Sequence, residues 1–200
     1  MVKNPYNLTM IFNKLALFSI FLTIASISVT PYPEMLVISY ILHELGHMFF
    51  ARVVGAKMKK IKIGTLHFSL SYDPSKISYF KEMIICFGGI IFNIASALIF
   101  LVLPIKGESR DFFIICNFSL AIMNLYPASI LDGGGILRCV LKMTLPYQIS
   151  EKISRGVSVF AIILLWLLCV YFQLVFVSNL SLFIISIILL VETCFSFVDY

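Results

Sequence analysis

Between Met35 and Val54 the chain has an apolar run that also carries His43, Glu44 and His47. About 20 such residues suffice for a helix to cross a bilayer. Histidines four residues apart lie on one face of a helix. Two imidazoles and a carboxylate are costly in hydrocarbon, so their presence inside a span points to function. The pattern His43-Glu44-Leu45-Gly46-His47 fits zinc chemistry, with two imidazole ligands and Glu44 placed to take a proton from a water activated at the metal. The reaction it suggests is hydrolysis of a peptide bond within the bilayer.

Composition agrees with a membrane setting. Hydrophobic residues make up 60% of the 200 residues and charged residues 12%, about half the share usual in soluble domains. Mean hydropathy is +1.02. Apolar runs at about 11–29, 35–54, 79–103, 112–126, 157–177 and 180–198 predict six spans, the short fourth one being the weakest. The expected fold class is therefore an all-α polytopic membrane protein. With the N-terminus inside, 13 of the 15 basic residues fall on the cytoplasmic side and only Lys106 and Arg110 outside. That bias predicts both termini in the cytoplasm. The net charge of +5 follows from the same bias, and nucleic-acid binding is not expected because the basic residues border spans. The five cysteines are scattered without a CxxC pair and read as buried apolar residues.

Residues 61–72, between the second and third spans, alternate apolar and polar with a change of parity at Gly64-Thr65. This predicts two short strands separated by a bulge or turn. The element is either a small amphipathic sheet on the membrane surface or an edge, including Phe68, that offers backbone hydrogen bonds to an extended substrate.

A catalytic zinc takes three protein ligands and leaves a position for water. His67, the only other histidine, lies in the predicted surface strand and reads as a strand residue. Asp132 is the better third ligand: it follows the apolar stretch 128–131 and precedes three glycines, which permit positive φ and close approach of the backbone. Its alternative role is an ordinary helix N-cap. Asn93, in the third span, is open to two roles: a hydrogen bond across a helix interface or a contact to substrate. Asn124 is a similar, weaker case.

These motifs resemble the site-2 protease family of zinc intramembrane metalloproteases, and most of all its compact branch typified by the stage IV sporulation protein FB. His43-Glu44-Leu45-Gly46-His47 matches the family's HExxH. Asn124-Leu125-Tyr126-Pro127 leading to Leu131-Asp132-Gly133-Gly134 matches its N-x-x-P and LDG elements, whose aspartate is a zinc ligand. Gly88-Gly89 with Asn93 resembles its small-G-P-x-x-N stretch. Ile90, Ile130 and Gly135 depart from that pattern, and none is an expected ligand. The resemblance implies one Zn2+ held by His43, His47 and Asp132, with Glu44 catalytic. Gly89, Asn93, Asn124 and Phe68 become expected substrate contacts. A single domain over 1–200 with its core at 34–142 is expected; the sporulation branch often adds a nucleotide-sensing domain, and none is expected here. The expected setting is a bacterial cell membrane, and the expected substrate is a membrane-tethered protein such as a pro-sigma factor, with an inhibitory membrane partner conceivable. A proteolytically inactive zinc-binding regulator is the rival, against which the intact Glu44 argues. A metal transporter fits less well, because its ligands would recur along several spans.

Overall fold

The computed structural model describes residues 32–176, apart from 57, 65–66, 73–76 and 130. The spans expected at 11–29 and 180–198 lie outside the described residues. Within them the order is α1 (Pro33–Val53), β1 (Met58–Gly64), β2 (His67–Tyr72), α2 (Tyr79–Val102), α3 (Glu108–Asn124), α4 (Asp132–Thr144) and α5 (Tyr147–Phe176).

Local chemistry sets the ends of these helices. Pro33 opens α1, and Glu34 sits in its first turn, where the helix dipole favours an anion. The chain leaves α1 through Gly55, whose φ of 71° is left-handed and suits a residue without Cβ. Ser78 caps α2 by accepting a hydrogen bond from the Lys81 amide at 3.4 Å. At the far end of α2, the Arg110 guanidinium donates to the carbonyls of Phe100 (3.0 Å) and Leu101 (2.9 Å). It thereby satisfies acceptors that a helix terminus leaves open.

β1 and β2 form a two-stranded antiparallel sheet in which Ile61 pairs with Leu70, Ile63 with Phe68 and Gly64 with His67. The register shifts between Met58 and Lys60. The irregularity therefore sits at the outer end of the ladder, away from the Gly64-Thr65 parity change.

α2 is the central helix, packing against α1, α3 and α4. Its closest approach to α1 is at Gly46 and Gly88. A Cβ built on Gly88 would lie 2.6 Å from the Gly46 carbonyl oxygen, and one built on Gly46 would strike the Gly88 carbonyl. Small residues at such a crossing let two backbones meet, as in membrane helix pairs.

Apolar residues such as Ile90, Phe113 and Leu120 are buried, but several polar side chains are buried with them. The largest fully buried side chains include Asn93, Asn117, Ser39, Ser150 and Ser158. Large apolar side chains face outward instead: Ile41, Leu45 and Phe49 on α1, Leu98 and Ile99 on α2, and Phe160, Leu164 and Leu167 on α5. Apolar surface on this scale is unfavourable in water and suits a hydrocarbon solvent. Among the described residues one helix, α2, is long and apolar enough to cross a membrane by length and composition.

Two features differ from the sequence-based expectation. Residues 132–144 form the separate helix α4, and α5 begins at Tyr147 rather than near 157. Hydropathy misses both because the first turns of α5 are polar, with Glu151, Lys152 and Arg155. Those turns are held internally: Lys142 Nζ on α4 lies 2.7 Å from Glu151 Oε1, with both side chains nearly buried.

Candidate metal centre

The buried face of α1 carries Ser39, His43, Gly46 and Ala51, with His47 half-buried beside them. The two imidazoles stand edge to face, 4.7 Å apart at their centroids. Their Nε2 atoms are 3.1 Å apart. From α4, Asp132 Oδ2 approaches to 3.1 Å from His43 Nε2 and 3.2 Å from His47 Nε2. These three residues form a group able to hold one metal ion.

The spacing tests the fit. Ligands about 2.0–2.1 Å from a tetrahedral zinc are about 3.3 Å from each other. The observed triangle has nearly that edge. Its proton inventory fits as well. His47 Nδ1 lies 2.8 Å from the Ile85 carbonyl oxygen. A carbonyl only accepts, so Nδ1 carries the proton and the neutral ring turns the lone pair of Nε2 towards the triangle. Asp132 Oδ2 is buried and lacks a hydrogen-bond donor among the described residues. A carboxylate oxygen and two imidazole nitrogens crowded without enough protons between them suit a cation at their centre.

Asp132 occupies the first turn of α4, and the N-cap position belongs to Leu131, with no side-chain cap. The capping role is thus excluded by position. The glycines that follow work differently from the sequence expectation: among the described residues positive φ occurs at Gly55 and Gly107 only. Gly133 and Gly134 are needed for proximity instead, since a Cβ on either would collide with the backbone of Leu125 or Ala128. The turn leading to Asp132 is also fastened to α5. The Tyr126 hydroxyl donates to the Ala161 carbonyl at 2.6 Å, and the Ser129 amide donates to Ser158 Oγ at 2.7 Å. Ala128, Leu131 and Ile162 pack together beneath it.

Glu44 is partly exposed on the turn between the two histidines. The other expected contacts fall in different surroundings. Gly89 faces the imidazoles themselves: a Cβ there would lie 2.5 Å from His43 Cε1 and 2.6 Å from His47 Nε2. There it is a packing position for the two histidines. Asn93 has 0% exposure. Asn124 is buried and donates to the Leu120 carbonyl of its own helix at 3.0 Å. As placed here, neither side chain is open to a bound peptide. Phe68 is on β2 opposite Ile63, and His67 opposite Gly64.

Sequence reasoning missed several supports of the site. The Ile85 carbonyl is a backbone group and leaves no trace in residue type. The hold of Tyr126 and Ser158 depends on how α5 packs. Ser39 could have been found, because it lies one turn before His43 on the same face.

A family model described as peptidase family M50 matches residues 108–168. A curated zinc metalloprotease of Methanocaldococcus jannaschii is 33% identical over 134 residues, which is 62% of this chain and 38% of that protein. The match thus spans well under half of the relative's length. Among solved structures, the site-2 protease from Methanocaldococcus jannaschii superposes with a TM-score of 0.62 at 24% identity, covering 90% of this chain and 86% of that one. The two share a fold.

Proposed function

We propose that the chain is a site-2 protease, a zinc-dependent intramembrane endopeptidase; the peptidase family M50 match over residues 108–168, the 33% identity to a zinc metalloprotease and the shared fold support that reading. The observation that carries this reading is the triangle of His43 Nε2, His47 Nε2 and Asp132 Oδ2, with edges of 3.1–3.2 Å and Glu44 on the turn between the histidines. Zinc bound there supplies Lewis acidity towards a water and a scissile carbonyl. His43, His47 and Asp132 hold it. Glu44 accepts the proton of the attacking water and delivers it to the leaving amine as the C–N bond breaks, so proton and electron pairs balance over the turnover.

The proposed substrate is a membrane-tethered protein, such as a pro-sigma factor or similar regulator, cut near the cytoplasmic face. The positive-inside bias supports that side and cytoplasmic termini, and residues 34–142 are read as the catalytic core. A transmembrane helix satisfies its own backbone hydrogen bonds, so the substrate must unwind before a carbonyl can reach the site. The edge of β2 is a suitable dock for the unwound strand. Phe68→Pro removes a backbone donor and disfavours the strand. It is expected to reduce cleavage severalfold with zinc content unchanged; full cleavage by this variant would exclude β2 as the dock.

The reading as a whole is tested with purified full-length chain and a membrane-tethered pro-sigma-type reporter in vesicles. A chelator is expected to abolish cleavage, and Zn2+ added back should restore it. Cleavage that persists after metal removal would refute a metalloprotease.

A further inference from the structure

α1, α2 and α3 meet in a buried polar layer one turn from His43. Asn117 Nδ2 on α3 donates to Ser39 Oγ on α1 at 2.8 Å and to the Phe113 carbonyl at 2.9 Å. Ser39 Oγ in turn donates to the Met35 carbonyl at 2.7 Å. Ser39 and Asn117 both have 0% exposure, as does Asn93.

Two independent registers bring Asn93 to this layer. Along α1 and α2, Ile85 meets His47, Gly88 meets Gly46, and Gly89 meets His43 and His47. The two helices are therefore antiparallel. Asn93, one turn beyond Gly89 on the same face, falls level with Ser39 and His43. Along α2 and α3, the Phe100 ring stacks on Phe113, and Arg110 reaches the Phe100 carbonyl. That antiparallel register sets Asn93 nearest the level of Leu120, within about one turn of Asn117.

Four buried polar atoms on these helices have no protein partner among the described residues: His43 Nδ1, Asn93 Nδ2, Asn93 Oδ1 and Asn117 Oδ1. They comprise two donors and two acceptors once His43 turns Nε2 to the metal triangle and so carries its proton on Nδ1. Buried polar groups are seldom left unmade, and an enclosed site with two to four polar partners is what an ordered water requires. Contrast His47, whose Nδ1 proton goes straight to the Ile85 carbonyl.

We propose that Asn93, Asn117 and Ser39 bind ordered water that accepts the Nδ1 proton of His43, making the two asparagines positioning residues for that metal ligand. The layer fixes the tautomer and ring orientation of His43 from behind, as partners of ligating histidines do. Asn93 thereby serves the site through His43 and not through substrate. The inference rests on the zinc reading above.

The test is Zn2+ affinity of the detergent-solubilised full chain, measured by competition with a chromophoric chelator. Asn93→Leu keeps side-chain size and removes both polar atoms; it is expected to weaken zinc binding by about 10–100-fold. The Co2+-loaded protein should show a shifted visible spectrum. Asn93→Asp keeps an acceptor and should bind zinc at least as tightly as wild type. A role in helix packing alone would lower the melting temperature and leave the zinc affinity of folded protein untouched. If Asn93→Leu does not fold, Asn117→Leu carries the test, with a loss of about tenfold expected. Wild-type affinity in a folded leucine variant would overturn the inference. If wild type itself does not bind zinc, or His43→Ala binds as wild type does, the zinc reading fails instead.

Discussion

Glu44→Gln should leave zinc content at one ion per chain and reduce reporter cleavage by at least about 10²–10⁴-fold, the usual contribution of a positioned general base. The substitution is nearly isosteric and neutral, and the three ligand atoms belong to other residues, so the metal has no reason to leave. Glutamine can still accept a hydrogen bond from water but cannot take its proton. Measuring zinc and cleavage on the same preparation separates this outcome from misfolding. Equal cleavage by both proteins would show that another protease cuts the reporter, and the chain would then be better read as a zinc-holding regulator.

Gly89→Ala should abolish high-affinity metal binding, a change on the order of 100-fold or more, although alanine is the better helix former by about 1 kcal/mol. A single methyl is decisive because of where it would stand: 2.5 Å from His43 Cε1, 2.6 Å from His47 Nε2 and 2.7 Å from His43 Nε2. Both rings would have to turn, and His47 would lose its 2.8 Å bond to Ile85. Proteolysis should fall with the metal. Excess Zn2+ should restore part of it, which a defect in substrate binding would not allow. A variant that binds zinc normally would mean that α1 and α2 can separate by about the width of a methyl group, against the tight crossing at Gly46 and Gly88.

The contrast between these two positions explains what could be read from residue order alone. His43, Glu44 and His47 announce themselves because ionisable groups in an apolar run are expensive, and a period of four puts the histidines on one face. Asp132 follows from the ligand count. The sequence alone pairs Gly89 with substrate, because nothing in residue order says what a helix face will meet. That knowledge needs the register of α1 on α2. Asn93 was open for the same reason, and its surroundings depend on two registers at once. The first turns of α5 were invisible to hydropathy because Glu151 finds Lys142 only after α4 has folded against it. Positive φ is what local chemistry suggests for the three glycines, whereas close tertiary approach is what requires Gly133 and Gly134.

The fastening of the Asp132 turn to α5 has a consequence for how this molecule is assembled. Two of the three ligands lie on α1 and the third in the first turn of α4, about ninety residues later, where the preceding turn is held by Tyr126 on Ala161 and by Ser129 on Ser158. An ion captured there acts as a clasp, closing a long loop of chain much as a cross-link does and removing conformational freedom from the opened state. The clasp shuts only after α5 has docked, so loading with metal reports that the helices have found their places.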